Sequence, residues 1–117
     1  MTQPSGYGFY FKYCAETCGG VPRNRLIAAL WAEGVLCYGD FYSPVYKDPL
    51  FAWRDAAVPV DYRQVSCPVA ERAAYEEGVW LPHQLFLGTR ADMDDIATAV
   101  EKVTAAWRKG EARAATS

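Results

Sequence analysis

The apolar residues of this chain follow two periodicities in turn. Residues 7–13, YGFYFKY, are aromatic at nearly every position. In an extended segment Tyr7, Phe9, Phe11 and Tyr13 share one face, and Gly8, Tyr10 and Lys12 the other, which predicts a strand with both sides at least partly covered. A loop over 14–20 ends in Gly19-Gly20. Pro22 then stands where a first helical turn tolerates proline, and Gly34 where a helix ends. Between them Leu26, Ile27, Leu30 and Trp31 make one apolar stripe, predicting a helix packed on the sheet. Val35–Tyr38 returns as a short strand.

The pattern then loosens. After Gly39-Asp40 the chain carries Phe41, Tyr42, Tyr46 and Phe51 past Pro44 and Pro49. Each proline holds the residue before it extended, so an ordered aromatic loop is expected, lying against this domain's core or another protein. Residues 48–65 are irregular, and irregular runs of that length are often functional. Ser66 is placed as an N-cap with Cys67-Pro68 in the first turn. Val69, Ala70, Ala73 and Ala74 then form the apolar face of a short helix closed by Gly78. Val79–Pro82 reads as a strand, followed by a turn with His83 and Gly88.

Thr89 and Asp92 resemble a capping box. Met93, Ile96, Val100, Val103 and Trp107 follow at helical spacing, with Asp92, Asp94 and Asp95 early and Lys102, Arg108 and Lys109 late, as the helix dipole favours. Gly110 is expected to end this helix and leave a loose tail. Helices connecting strands predict an α/β (α+β) two-layer sandwich, a small, mainly antiparallel sheet with helices on one face. The 117 residues fit one domain, with a core over 7–108 and tails at 1–6 and 109–117.

Composition narrows the function classes. Hydrophobic content of 51% with 22% charged residues suits a folded domain. A net charge of −2 with dispersed basic residues argues against nucleic acid as a partner. No apolar run approaches the ~20 residues that span a bilayer, and the first residues have no signal-peptide pattern, so a cytoplasmic protein is expected. The four cysteines are then reduced thiols. Cys14 and Cys18 lack zinc-knuckle spacing, no metal is expected, and Cys37 and Cys67 read as small buried residues.

Self-contained catalytic signatures are missing: no glycine-rich phosphate loop, no G-x-S-x-G, no H-E-x-x-H. His83, just past a strand end, is either an acid–base group or, the preferred reading, a surface turn residue. Glu71 is either a carboxylate ligand or, again preferred, part of a solvated helix face with an Arg72–Glu76 pair. Tyr42 and Tyr46 are the best ligand-facing candidates, because a phenol combines stacking with hydrogen bonding; packing on the sheet is the equal alternative.

Two strings carry a resemblance. RNRLIAALWAEGV with DFYSPVYKDPLF, over 23–51, and CPVAERAAYEEGVWLPH, over 67–83, together resemble the C-terminal small domain of DegT/StrS-type sugar aminotransferases. The tyrosine-rich loop looks closest to the branch of inosose aminotransferases and 3-amino-5-hydroxybenzoate synthase. In that family the segment matching Phe41–Tyr46 commonly reads His-Tyr-x-Pro-Leu-His near the substrate. Here Tyr42 and Pro44 match, while Phe41 and Tyr46 replace the histidines. Cys67, Pro68, Glu71, Leu81 and Pro82 match the second motif, where they look structural.

The resemblance implies a fold-type-I, pyridoxal-phosphate-dependent enzyme whose cofactor lysine sits in a large domain. None of Lys12, Lys47, Lys102 or Lys109 lies in a segment like that lysine motif, so no cofactor-binding or catalytic residue is assigned here, and the chain alone should be inactive. The expected role is a small-domain subunit completing the active site of a large-domain chain, with or without self-association. The alternative is a non-catalytic binding protein derived from that domain. For either role Phe41, Tyr42, Tyr46, Phe51, Trp53 and His83 are the substrate-binding or interface candidates, the aromatic ones forming an apolar patch.

Overall fold

The computed structural model describes residues 6–40, 42–52, 57 and 60–115, with side chains through 110. Two antiparallel strands lie at its centre, β1 (Gly8–Lys12) and β2 (Gly78–Pro82), in the register Gly8 to Pro82 and Tyr10 to Trp80. Every residue of β2 from Val79 to Pro82 is buried. It is paired on one edge by β1 and on the other by Tyr38, which explains its unbroken apolar sequence. β1 is an edge strand, and Phe9, Tyr10 and Lys12 remain exposed.

Helix α1 (Arg23–Ala32) and helix α3 (Arg90–Ala115) pack against each other. Leu26 and Leu30 of α1 and Val103 of α3 close over Val79, Leu81, Val35 and Cys37 to form the core. Gly34, at φ 86°, turns the chain out of α1 as expected, with the Val35 amide donating to Leu30 at 2.8 Å. The α1 stripe narrows at one end. Trp31 is half exposed; it edges onto Tyr38 and donates through Nε1 to the Cys37 carbonyl.

The α/β architecture agrees with the sequence reading, and four details differ. Val35–Tyr38 makes a single bridge, Tyr38 exchanging both hydrogen bonds with Trp80 at 2.7 and 2.9 Å. The chain turns away at Gly39 before a ladder can extend. Second, α3 runs through Gly110 to Ala115. Gly110 has no positive φ to terminate it, and the alanine-rich residues beyond are strong helix formers. Third, helix α2 (Pro68–Arg72) has Cys67 rather than Ser66 at its N-cap position, with no side-chain capping bond, and widens into a π turn over Ala73–Glu77. Fourth, Cys67 is exposed, since it precedes that helix outside the core.

Between Pro44 and Val65 the described residues make three 3-10 turns, Val45–Lys47, Pro49–Ala52 and Tyr62–Gln64, packed on one another. This segment and the long α3 give a radius of gyration of 18.4 Å, against about 13 Å for a compact chain of similar length. Among the described residues, no helix is long and apolar enough to cross a membrane.

Candidate functional site

The far side of the sheet, away from α1 and α3, carries a groove of about 460 Å³. Its floor is Trp80, flanked by Tyr10 and Tyr38 with ring centroids 6.1 and 5.5 Å away. One wall is Tyr42, Pro44 and Val45; the other is the small-residue face of α2 and the π turn, Ala70, Ala73 and Ala74. Ala70, Ala73 and Ala74 line the groove as part of the expected small apolar face, whereas Val69, expected with them, points to solvent. Tyr42 is well exposed at the mouth. Burial, then Tyr42 and Tyr7, push the Tyr10 phenol above its usual range.

Arg23 holds this groove together from behind. Only 3% exposed, it stands first on the buried stripe of α1. Its Nη1 donates to the carbonyls of Ala74 (2.6 Å), Gly39 (3.1 Å) and Gly78 (3.2 Å), and its Nη2 to Asp40 (2.5 Å). One guanidinium thus joins the start of α1, the turn before Tyr42, and the π turn that forms the opposite wall. Gly39 is required there, because a Cβ would stand 2.7 Å from the Arg23 guanidinium and 2.6 Å from Ile27. Arg23 was not singled out from the sequence, although a signal exists. Arginine in a first helical turn opposes the dipole, and this one falls in phase with Leu26 and Leu30.

The described candidates do not converge on one surface. The Tyr46 hydroxyl donates to Glu71 and accepts the Cys67 amide at 3.0 Å, so this phenol is engaged within the chain. Lys47 pairs with Glu71 at 3.2 Å. The Tyr46 bond, then Lys47, holds the Glu71 carboxylate below its usual range. Glu71 therefore pins the 45–47 turn to α2. The expected Arg72–Glu76 pair is replaced by Arg72 to Glu77 at 2.7 Å and to Glu16 at 3.1 Å. Phe51 packs on Tyr62 at 5.2 Å in the cluster of 3-10 turns. His83 is exposed, stacked on Tyr7 at 5.8 Å, and does not line the groove. Phe41 and Trp53 lie outside the described residues.

The described groups offer little chemistry of their own. Burial pushes the Cys37 thiol up to about 11, which makes it a poor nucleophile. No cluster of three or more His, Cys, Asp or Glu gathers among the described residues. The described lysines do not fit the aldehyde of pyridoxal phosphate. Lys12, Lys47 and Lys102 are engaged by Glu77, Glu71 and Glu33, and Lys109 is exposed. Its bond to Glu71 raises Lys47 further, opposite to what imine formation needs.

Comparison with known proteins supplies what the geometry lacks. The chain is 37% identical over 116 residues to an L-glutamine:3-amino-2,3-dideoxy-scyllo-inosose aminotransferase of Streptoalloteichus tenebrarius. It is 36% and 33% identical to proteins of the same name from Streptomyces kanamyceticus and Micromonospora echinospora. Each similarity takes in 88% of this chain and 27% of the relative. The chain thus spans about a quarter of their length, consistent with a small C-terminal domain. No protein-family model matches it. The likeness to the inosose-aminotransferase branch is borne out for that segment, and the chain corresponds to a fragment of an aminotransferase-like domain.

Proposed function

From that likeness we propose that these residues are the small domain of a pyridoxal-phosphate-dependent aminotransferase of the DegT/StrS type. It completes the substrate side of an active site whose cofactor is held by a separate large-domain chain. The observation that carries the small-domain reading is the likeness itself: 33–37% identity through 88% of this chain, matched to 27% of each relative. The lysine geometry is compatible with it, since imine chemistry then belongs to the other chain. The groove suits the role as well. Ring faces of Tyr10, Tyr42 and Trp80 can lie against the C–H face of a cyclitol while phenol hydroxyls reach its hydroxyls. Its free thiols suit a reducing cytoplasm.

The test is complementation. A relative is truncated to remove the matched quarter, loaded with pyridoxal phosphate, and mixed with this chain. With L-glutamine and the aminodideoxy-inosose, transamination is expected only when both parts are present, and the two should co-elute. Neither activity nor co-elution across the micromolar range would overturn the reading.

A further inference from the structure

The outer edge of β1 has a property that the proposed function does not use. The Tyr13 amide donates to Glu77 at 2.8 Å, and Trp80 exchanges its bonds with Tyr38 on the opposite edge. Hydrogen-bonded pairs alternate along an antiparallel ladder, so Phe9 and Phe11 bond to β2, and Gly8, Tyr10 and Lys12 direct their N–H and C=O groups outward. No described strand pairs along that side. The exposed edge is aromatic, with Tyr7 68%, Phe9 53% and Tyr10 54% exposed. Natural edge strands usually carry protection against such pairing; here Lys12 is the single charge.

The sequence of this edge reads nearly the same from either end. About Tyr10, YGFYFKY places Phe9 against Phe11 and Tyr7 against Tyr13, with Gly8 against Lys12 as the one mismatch. Two copies related by a two-fold axis would pair antiparallel over Gly8–Lys12, each position meeting its mirror, with buried Tyr13 lying beyond the strand. We propose that this chain forms a homodimer through the outer edge of β1, joining two sheets into one continuous four-stranded sheet.

In that register Tyr10 of each copy exchanges both hydrogen bonds with the other, and Gly8 does so with Lys12. Opposed side chains share a face, so Phe9 meets Phe11 of the second copy on the helix side. There an apolar hollow of about 400 Å³, lined by Phe9, Phe11, Phe86, Ile96 and Val100, lies open beside the strand. The mismatch is itself accommodating. Any Cβ at Gly8 would stand 1.8 Å from Trp80 Nε1, so the Trp80 indole covers this position and the stem of the opposing Lys12 would lie along that indole. The Lys12 charge is balanced by Glu77 at 3.4 Å. A second copy satisfies this edge better than an arbitrary segment, because only the same sequence repeats the aromatic spacing.

The chain alone, in sedimentation and residue-resolved amide exchange over a range of concentrations, tests this independently of any aminotransferase partner. Reversible dimers are expected, with the Tyr10 and Lys12 amides gaining protection as concentration rises, while Phe9 and Phe11 are protected throughout. Tyr10→Lys should raise the dimer dissociation constant at least about tenfold, and Val69→Lys, on the distant face of α2, should leave it unchanged. A monomer at all concentrations overturns the proposal, as does a dimer whose Tyr10 and Lys12 exchange is insensitive to concentration. So does protection of those amides only when a large-domain chain is added. The exchange measurement on the unaltered chain decides the matter even if Tyr10→Lys fails to fold.

Discussion

Arg23 Nη1 donates to the main-chain carbonyl of Ala74 at 2.6 Å, across fifty-one residues of sequence. A π turn does not bond its carbonyls in the α-helical pattern, and Arg23 takes up this one at the point where the turn forms the groove wall. The same side chain satisfies Gly39 and Gly78. Removing it leaves several acceptors facing a low-dielectric interior. Arg23→Met is accordingly expected to cost at least about 2 kcal/mol in urea denaturation. Arg23→Lys should recover only part of that, because one ammonium cannot span the fork. Full recovery by lysine would mean that charge, not geometry, matters there.

Leu30 is fully buried between α1 and the sheet. Leu30→Ala should lower stability by about 2–5 kcal/mol, the range for buried leucine truncations. Val69→Ala, at a residue exposed to solvent, should change it by no more than about 0.5 kcal/mol. Equal effects in chemical denaturation would contradict the packing described.

Tyr46→Phe removes the hydroxyl that Glu71 accepts. The Glu71 carboxyl, held low in the folded chain, should then titrate closer to ordinary glutamate, about 4.3. The sign is that of a depressed acid: the contribution is present above the unfolded value and is lost as pH falls through the folded one. The 45–47 turn should therefore loosen on acidification below about pH 4 in the parent chain, and at a higher pH in Tyr46→Phe, where Lys47 alone still pairs with Glu71. Side-chain carboxyl chemical shifts followed against pH would report both. An unchanged Glu71 titration in the variant would show that the hydroxyl is not its main partner.

Thr89 and Asp92 cap α3 reciprocally. The Thr89 amide donates to Asp92 at 2.6 Å and the Asp92 amide to Thr89 Oγ1 at 3.3 Å. Thr89→Ala should destabilise the chain by about 1 kcal/mol. The Asp92 carboxyl, held low mainly by the Thr89 hydroxyl, should rise. A stability loss with no shift at Asp92 would indicate that the threonine acts through something other than the cap.

Much of this molecule is local and was legible from residue order. The cap at Thr89 and Asp92, the end of α1 at Gly34, the stripe of Leu26 and Leu30 and the aromatic strand at 8–12 all depend on neighbours within a few positions. Periodicity and capping chemistry report such neighbours directly. The family likeness was legible too, because it rests on ordered motifs. What residue order could not decide was which distant groups meet. Residue order sets Arg23 in phase with Leu26 and Leu30, but does not show that it serves the Gly39 turn and the π turn. Tyr46 reads as a free phenol until Glu71 arrives from α2 to engage it. Trp80 becomes the floor of a groove only when Tyr10 and Tyr38 flank it from opposite sides of β2. Even the length of α3 was set by context, since an isolated glycine stops a helix only if the backbone there turns left-handed. Tertiary packing decides such pairings, because burial makes each unsatisfied polar group costly and so selects the partner that satisfies it.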